Sequence, residues 1–562
     1  MELTGAGILM ECLRREGVTT LFGYPGGAVI DIFDALNKSG LQHILVRHEQ
    51  AAVHAADGYA RATGKVGVAL VTSGPGATNT VTGIATAAND SIPLVVLTGQ
   101  VPTPLIGNDA FQEVDIVGIT RPCTKHNYLV KDIRKLASTL RQAFYLARTG
   151  RPGPVLVDLP KDVMVASTDF VWPEVVKLRS YIPPSGPNLV QLRRASDLLQ
   201  EARRPLLLVG GGVILSNASE PLRQLAEQCN IPVISTLMGL GGFPAKSPLW
   251  FGFVGMHGRF AANRAVSETD LLLAVGTRFA DRVTGKISEF AKEAKIVHID
   301  VDPTSIRKTV QVDVPIVADC REALQGLLTV LGASSGSKSL KAAHAPWVEH
   351  LTRLNTEKPL GYEETDEIKP QQAIETISRL TPADAIVATD VGQHQMWTAQ
   401  FYAFQTPRTF LTSGGLGTMG YGLPAAIGAQ VALPERQVVL VAGDGSIQMN
   451  IQELATAVHN KIPVKIFILN NRFLGMVRQW QQLFYNRNYS FTPMEGQPDF
   501  VKLAEAYGAT GIRISDKKDL EPAIARALQA DGTVVVDITV AREENVYPMV
   551  PAGAGLDQML MV

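Results

Sequence analysis

The strongest chemical signal in this sequence is a carboxylate in a glycine-flanked turn, followed 27 positions later by an amide. Asp444 lies in Gly443-Asp444-Gly445-Ser446, and Asn471 follows a second apolar run. A carboxylate and an amide oxygen suit a hard cation such as Mg²⁺, which usually completes its coordination with waters and phosphate oxygens. The glycines let the backbone approach such a phosphate at the start of a helix. The motif predicts a site for a metal-bound diphosphate, and the alternative is a tight turn with a capping aspartate.

The elements around this motif must bring the two side chains together. Val438 to Val441 predicts a strand buried on both faces, Ile447 to Asn460 a helix, and Val464 to Leu469 the next strand. If the two strands are neighbours in a parallel sheet, Asp444 and Asn471 meet at their carboxyl ends. Open α/β sheets bind their ligands at that edge.

A second candidate is Glu49, in Arg47-His48-Glu49-Gln50. It follows a predicted strand, Ile44 to Val46, and begins a helix that contains Ala51 to Val53. A glutamate at a strand end beside apolar residues can have a raised pKa and transfer protons. The alternative is a first-turn glutamate that the helix dipole favours.

The metal motif resembles an earlier segment of the same chain. Gly74-Pro75-Gly76-Ala77 leads to an apolar run at Ile92 to Leu97, much as Gly443 to Ser446 leads to Ile462 to Phe467. Chance similarity between two strand-turn-helix-strand units is the alternative, but we favour two related domains. Because Pro75 stands where the second copy has Asp444, only the second copy is expected to hold metal.

A third α/β segment between the two copies has the parts of a dinucleotide site. Pro205 to Val209 predicts a strand that runs into Gly210-Gly211-Gly212, and strands are also predicted at Leu271 to Val275 and Ile296 to Val301. A glycine-rich turn after a strand and an acidic residue at a later strand end are typical of such sites. Because the spacing is not a strict G-x-G-x-x-G, this pattern alone is weak evidence.

The chain is therefore predicted to be α/β, with three doubly wound domains and mainly parallel sheets. Linkers are predicted at Val171 to Pro187, which is polar and contains prolines, and at Gly332 to Pro346, which is rich in Ser, Ala, Gly and Lys. The predicted units are residues 1–170, 188–332 and 365–545, with a tail at 546–562.

Composition narrows the function classes. At 562 residues the chain is too long for one core, and 52 Lys and Arg against 53 Asp and Glu give no basic excess for nucleic acid or an anionic membrane. Four scattered cysteines fit a reducing compartment. The start of the chain lacks the pattern of a leader peptide, and no apolar run reaches about 18 residues. We therefore expect a cytoplasmic protein.

Taken in order, these motifs resemble the thiamin diphosphate enzymes, and among them the catalytic subunits of the acetohydroxyacid synthase (acetolactate synthase) family. The resemblance covers nearly the whole chain. It rests on Phe22-Gly23-Tyr24-Pro25-Gly26-Gly27, Arg47-His48-Glu49-Gln50, Ser73-Gly74-Pro75-Gly76-Ala77-Thr78-Asn79, Asp109-Ala110-Phe111-Gln112-Glu113, Gly150-Arg151-Pro152-Gly153-Pro154-Val155, Asp390-Val391-Gly392-Gln393-His394, Gly414-Gly415-Leu416-Gly417-Thr418-Met419-Gly420 and the Gly443 to Asn471 motif.

The resemblance implies roles at the thiamin diphosphate. Glu49 would hydrogen-bond the pyrimidine ring, Met419 would hold the cofactor bent, and the Gly417 carbonyl would hold the pyrimidine amino group. Mg²⁺ would be held by Asp444, Asn471 and the carbonyl of Phe473. The other implied residues are Gln112 and Lys161 at the substrate channel, Trp480 for preference toward the larger acceptor, and Val391, Gly392, Gln393, His394, Gly445, Ser446 and Met476 at the cofactor.

Three of these residues have simpler explanations from the sequence alone. Lys161 fits a surface lysine, Trp480 a core or interface aromatic, and His394 a capped surface histidine.

The resemblance also implies FAD without a redox role. Arg278-Phe279-Ala280-Asp281-Arg282 is similar to a flavin-contacting stretch of the family, but Ala280 replaces an aspartate, which puts one polar contact in doubt. The implied FAD residues are Arg151, Gly210, Gly211, Gly212, Gly276, Arg278, Asp281, Arg282, Asp300 and Asp319.

The implied reaction is the decarboxylation of pyruvate and the transfer of its two-carbon unit to a second 2-keto acid. Pyruvate as acceptor gives 2-acetolactate and 2-ketobutyrate gives 2-aceto-2-hydroxybutyrate, the first common step of branched-chain amino-acid synthesis. In this family the cofactor lies between the first domain of one subunit and the third domain of another. The resemblance therefore implies a homodimer or homotetramer, with a separate small regulatory subunit and a C-terminal tail that closes over the site.

Three alternatives stay open at this point. A pyruvate oxidase would use its flavin for redox chemistry, and a catabolic acetolactate synthase would lack flavin. A non-enzymatic nucleotide-binding protein could have kept the same fold.

Overall fold

The structure is a computed structural model that describes residues 1–333 and 337–561, and it contains three six-stranded sheets whose neighbouring strands run parallel. This confirms the predicted α/β fold with three doubly wound sheets. Apolar side chains pack on both faces of each sheet, so each sheet has two cores. Within the described ranges, no helix is both long enough and apolar enough to cross a membrane.

The first sheet and its helices occupy the N-terminal part of the chain. A short antiparallel pair, Glu2–Thr4 with Ser167–Asp169, joins the start and end of this part. The sheet strands, in spatial order, are Gln42–Leu45, Thr20–Tyr24, Gly67–Val71, Leu94–Gln100, Pro154–Pro160 and His126–Leu129. The α-helices are Gly5–Arg15, Ile30–Ser39, Glu49–Thr63, Pro75–Thr78, Val81–Asp90, Ile116–Thr120, Leu136–Arg148 and Lys161–Val165.

The C-terminal sheet repeats this topology. In both sheets the spatial order, counted along the chain, is second, first, third, fourth, sixth and fifth strand. The shared strand order supports two related domains, as the similarity between the Gly74 and Gly443 segments predicts. The strands are Phe410–Leu411, Ile386–Thr389, Val438–Gly443, Lys465–Asn470, Val534–Thr539 and Thr510–Ile514, and the α-helices are Pro370–Leu380, Gln393–Phe401, Gly422–Ala432, Asp444–Ile447, Leu454–His459, Gly475–Phe484, Phe500–Ala506 and Leu520–Gln529.

The central sheet has a different order, in which the third, second and first strands precede the fourth, fifth and sixth. This is the strand order of the dinucleotide-binding fold. The strands are Trp250–Phe253, Val233–Ser235, Pro205–Val209, Leu271–Val275, Lys295–Asp300 and Val314–Val317, and the α-helices are Leu189–Glu201, Gly211–Leu215, Ser219–Cys229, Phe260–Glu268, Asp281–Thr284, Cys320–Ala333 and Ser337–Glu357.

The predicted helix from Ile447 to Asn460 is wrong as a single element. The chain forms a short helix at Asp444–Ile447, a 3₁₀ turn at Ile451–Glu453 and a second helix at Leu454–His459. It leaves the helical conformation at Asn450 (φ −136°, ψ 29°). The buried Asn450 side chain instead donates to the carbonyl of Gly420 at 2.7 Å, a contact that sequence periodicity does not reveal.

The predicted linker at 332–346 is also wrong where the structure describes it, because residues 337–346 belong to the helix Ser337–Glu357. Residues 334–336 of that linker lie outside the described residues. Trp347 anchors the helix on the central sheet, where its indole N–H donates to the carbonyl of Pro205 at 3.0 Å. The other predicted linker, residues 171–187, contains neither helix nor strand.

The first and third sheets are joined directly within the chain by the helices Glu49–Thr63 and Gly422–Ala432. Gly58 faces the carbonyl of Ala425, and Gly428 faces the carbonyl of Ala55. A Cβ at either glycine would collide with the opposing backbone, so the close approach of these helices requires glycine.

The C-terminal tail packs against the central sheet. Met549 forms an isolated bridge with Leu560, and the N–H of Val550 donates to the carbonyl of Met256 at 2.8 Å. Val550 and Leu556 are buried in the core on one face of the central sheet. These contacts place the tail next to the central domain.

Candidate active site

The predicted metal-binding side chains meet at one sheet edge. The strands that precede them are adjacent and parallel, and Gly443 lies opposite Leu469 in the register. Asp444 is only 1% exposed, and its Oδ2 has no hydrogen-bond partner among residues 1–333 and 337–561. Asn471 is buried too, and its Oδ1 accepts the N–H of Phe473 at 3.1 Å.

The chemistry of this pair fits a hard cation. Burial raises the pKa of Asp444 to about 7, and a bound cation would counter that effect. In the described part of the chain, no cluster of three or more His, Cys, Asp or Glu side chains could hold a metal. A cation here would therefore depend on backbone carbonyl and phosphate oxygens as well as Asp444 and Asn471.

His394 lies at the same edge and is buried, which excludes the alternative of a surface histidine. Its Nε2 is 3.5 Å from the hydroxyl of Ser446, and burial lowers its pKa to about 3. A Cβ on Gly443 would come within 2.8 Å of the His394 ring, which explains the glycine at that position. The imidazole is therefore neutral near pH 7.

Gln393 links the metal pair to neighbouring elements. Its Nε2 donates to Oε1 of Gln479 and to the carbonyl of Glu544, both at 2.9 Å. Its Oε1 accepts the Asn471 amide N–H at 3.3 Å. Gly445 packs against Leu474, so a side chain there would displace the loop that follows the metal pair.

The loop that carries Gly417 and Met419 is held by Asp390, a residue for which the sequence predicts no role. Asp390 Oδ1 accepts the N–H groups of Val391 and Gly420, both at 2.8 Å. Burial raises the pKa of Asp390 to about 6. Its position directly after a buried strand is the sequence signal that could have indicated this role.

A cavity of about 800 Å³ is lined by residues of the first, central and C-terminal parts of the chain. Residues predicted to contact the flavin and residues predicted to contact thiamin diphosphate both line this cavity. The flavin set is Arg151, Gly211, Gly212, Gly276, Arg278, Asp281, Arg282, Asp300 and Asp319, and the thiamin diphosphate set is Val391, Gly392, Gly417, Met419, Met476 and Trp480.

The flavin half of the cavity is built on two glycine turns. The N–H of Gly212 donates to the carbonyl of Gly276 at 3.0 Å, so the turns that follow two parallel strands touch. Gly210 packs against the carbonyl of Gly276 and does not line the cavity. Close packing of the two turns therefore explains why glycine is found at these positions, whether or not a ligand also contacts them.

Charged groups surround these turns. Burial raises the pKa of Asp300 to about 6, and its Oδ1 accepts the N–H of Asp302 at 2.8 Å. Arg151 forms an ion pair with Asp302 at 3.2 Å. Asp281 and Arg282 pair with each other at 2.7 Å and are mostly exposed.

Trp480 lies on the cavity wall and is not a core residue. It belongs to the helix Gly475–Phe484, together with Met476 and Val477, which also line the cavity. Its ring contacts Phe484 edge to face, with the centroids 5.5 Å apart.

Glu49, Gln112 and Lys161 lie on the first domain and do not line this cavity. Glu49 begins its helix, and its Oε2 accepts the amide N–H of Asn79 at 2.9 Å. Gln112 has a left-handed backbone (φ +57°) and covers Gly74. Lys161 is half-buried, and its Nζ donates to the carbonyl of Gly27 at 3.3 Å.

Family models of all three domains of the thiamine pyrophosphate enzymes match the chain, and these matches define the class of protein. The N-terminal TPP binding domain matches residues 3–119, the central domain residues 192–327, and the C-terminal TPP binding domain residues 390–538.

The curated relatives narrow the class further. Acetolactate synthase isozyme 3 large subunit of Escherichia coli is 51% identical over 99% of this chain and 98% of its own length. The acetolactate synthase large subunit of Haemophilus influenzae is 50% identical over 100% of this chain and 98% of its own. Acetolactate synthase 1, chloroplastic, of Nicotiana tabacum is 48% identical over 99% of this chain and 84% of its own. The chain therefore belongs to the acetolactate synthase large-subunit family of thiamine pyrophosphate enzymes.

Proposed function

We propose that this family member decarboxylates pyruvate and joins the two-carbon unit to pyruvate or 2-ketobutyrate, using thiamin diphosphate, Mg²⁺ and FAD. The observation that carries the proposal is the buried, unpartnered carboxylate oxygen of Asp444 beside Asn471, at the edge where Gln393 and His394 also lie. A buried carboxylate oxygen without a hydrogen-bond partner loses its hydration, which costs free energy. A cation bound to a diphosphate would satisfy it.

The residues at this edge have separate tasks in the proposal. Asp444, Asn471 and the carbonyl of Phe473 hold Mg²⁺, and neutral His394 offers one N–H to the diphosphate without adding charge. The remaining cofactor contacts are assigned to Val391, Gly392, Gln393, Gly445, Ser446 and Met476.

Thiamin diphosphate supplies the nucleophilic carbon that makes loss of carbon dioxide from pyruvate possible. Glu49, which accepts a hydrogen bond from Asn79, would exchange a proton with the pyrimidine ring of the bound cofactor. The Gly417 carbonyl would hold the pyrimidine amino group, and Met419 would support the bound cofactor. Gln112 and Lys161 line the approach of the substrate, and Trp480 selects the larger acceptor.

The cavity wall of the central domain fits the long, anionic FAD. Its volume of about 800 Å³ is within the range of ligand pockets, and the glycine turns follow the strands at the switch point of the sheet. Arg151, Arg278 and Arg282 supply positive charge there. Because the proposed reaction has no net redox change, FAD has a structural role.

We also propose a homodimer or homotetramer, because Glu49 lies outside the cavity that holds Gly417 and Met419. The first domain of a second copy would then supply Glu49 to each site. A separate small regulatory subunit is supported by relatives that are named as large subunits. In this proposal residues 1–170 bind the pyrimidine, 188–332 bind FAD and 365–545 bind diphosphate and metal, in a cytoplasmic enzyme.

Flavin reduction during turnover tests this proposal against a pyruvate oxidase. The protein with all three cofactors is mixed anaerobically with pyruvate while the flavin absorbance and carbon dioxide release are recorded. The proposal predicts many turnovers with oxidised flavin, and Glu49→Gln should slow turnover about 100-fold or more. Flavin that bleaches in proportion to pyruvate consumed would contradict the proposal.

A further inference from the structure

One short segment of the first domain, Asn89–Ser91, contacts both halves of the large cavity and lines it. On the flavin side, Ser91 Oγ accepts the Nε–H of Arg151 at 2.8 Å. On the other side, the carboxylate of Asp90 accepts the N–H of Gly414 at 3.0 Å and that of Gly415 at 2.8 Å. Two adjacent residues thus hold the flavin-side arginine and the loop that leads to Gly417.

Asp90 is itself held by a buried charge network. Arg61 Nη2 donates to Asp90 Oδ2 at 2.9 Å, and Arg61 also pairs with Asp57. The hydroxyl of Tyr421 donates to Asp57 Oδ1 at 2.7 Å. The Asp90 side chain is 1% exposed and that of Arg61 is 6% exposed. Buried charges at this depth are tolerated only when they are paired and hydrogen-bonded, so Asp90 has little freedom to move alone.

The same helix holds the loop at a second point. Thr86, one turn before Asp90 in the helix Val81–Asp90, has its hydroxyl 2.7 Å from that of Thr418. Gly417, with a left-handed backbone (φ +72°), lies between the two attachment points, and Met419 follows the second. The position of this loop therefore depends on where the end of the helix Val81–Asp90 lies.

We propose that Asp90 is a positioning residue that couples FAD binding to thiamin diphosphate binding. The inference rests on the proposed function. FAD bound beside Arg151 would hold Ser91 in place. Asp90, the neighbour of Ser91, holds Gly414 and Gly415, so the Gly417–Met419 segment would be ordered before thiamin diphosphate binds. Ordering this segment would be the role of the flavin in a reaction that has no net redox change. By linkage, thiamin diphosphate must tighten FAD binding by the same factor.

A binding cycle tests the coupling without any measurement of turnover. The dissociation constant of thiamin diphosphate with saturating Mg²⁺ is measured by titration calorimetry on the full chain, with and without FAD. FAD binding is followed separately by the quenching of flavin fluorescence. For the unaltered protein we expect FAD to tighten thiamin diphosphate binding at least about 5-fold.

Two variants remove the link at different points. Asp90→Asn leaves one acceptor oxygen for two N–H groups, and Ser91→Gly removes the hydroxyl at a left-handed position (φ +62°) that glycine tolerates. In both variants, each cofactor should still bind. The ratio of the thiamin diphosphate dissociation constant without FAD to that with FAD should fall toward one. Asp270→Asn is the matched control, because Asp270 also accepts two backbone N–H groups, those of Arg203 and Arg204, but does not line the cavity.

The outcomes separate this inference from the proposed function. An unaltered protein that binds both cofactors without coupling would overturn the inference, as would full coupling in Ser91→Gly. Should Asp90→Asn fail to fold, Ser91→Gly still decides the matter. An unaltered protein that binds no FAD at all would overturn both the inference and the flavin part of the proposed function.

Discussion

The carboxylate of Glu453 accepts the backbone N–H of Arg47, at 3.0 Å to Oε1 and 3.2 Å to Oε2. These residues are 406 positions apart in sequence and belong to the third and first domains. Glu453 is fully buried, and the hydroxyl of Thr456 donates to its Oε2 at 2.6 Å. The turn that places Glu49 at the start of its helix is therefore held by the third domain of the same chain.

Replacement of Glu453 by glutamine should disturb that turn. The change turns one acceptor oxygen into an N–H donor that faces the part-buried N–H of Arg47, at a cost of about 1–3 kcal/mol. We expect a lower free energy of unfolding in urea and a reduced kcat, because Glu49 loses its position. Glu435→Gln, at an exposed site, serves as the control. Unchanged stability and kcat in Glu453→Gln would show that the contact has no such role.

Asp444→Ala should abolish the retention of thiamin diphosphate and Mg²⁺ while the fold stays intact. Removal of a buried carboxylate with an unpartnered oxygen should not lower the Tm of the cofactor-free protein. The unaltered protein should gain about 2.7 kcal/mol of stability at a cofactor concentration 100 times Kd, and the variant should gain none. Thermal unfolding with and without cofactors measures both effects. Exposed Asp531→Ala is the control, and full activity in Asp444→Ala would reject the metal assignment.

Trp480→Leu should lower the preference for 2-ketobutyrate over pyruvate more than it lowers total turnover. The indole forms part of the cavity wall, and its loss should change the discrimination by about tenfold. The ratio of the two products at fixed substrate concentrations measures this. Phe484→Leu is a suitable control, because Phe484 contacts Trp480 but does not line the cavity. An unchanged ratio would show that Trp480 does not set the preference between the two acceptors.

His54 should make the protein sensitive to acid. Burial, and secondarily the charge of Arg61, lower the pKa of His54 to about 3. The unfolded chain binds a proton there below about pH 6.5 and the folded chain does not, so the free energy of unfolding falls as pH drops from 6.5 toward 3. The loss from this one residue is about 2 kcal/mol at pH 5.

His54→Gln should remove that part of the acid sensitivity. Urea unfolding at pH 7.5 and pH 5.0 gives the difference for the unaltered protein, the variant and His459→Gln, in which the replaced histidine is exposed. An equal pH-dependent loss in His54→Gln and the unaltered protein would contradict the assignment.

The sequence predicted what depends on local pattern. Buried strand runs and the spacing from Asp444 to Asn471 were enough to place both residues at one sheet edge, as the register of Gly443 with Leu469 confirms.

What the sequence did not predict depends on distant contacts. The helix after Asp444 is interrupted because Asn450 bonds to Gly420, 30 positions earlier. Glu453 and Asp90 bind backbone groups 406 and 325 positions away, and nothing in their local sequence marks them. The linker prediction is wrong because residues 337–346 form the start of a helix, which Trp347 attaches to the central sheet far from it in sequence.

The most direct test of the central claim is a mass-spectrometric product assay on the purified protein, supplied with pyruvate and 2-ketobutyrate together, and with thiamin diphosphate, Mg²⁺ and FAD. We predict an excess of 2-aceto-2-hydroxybutyrate over 2-acetolactate, which is lost when FAD is omitted. Acetate or acetyl phosphate with reduced flavin would contradict it and indicate an oxidase, and acetolactate alone without need of flavin would contradict the role given to FAD.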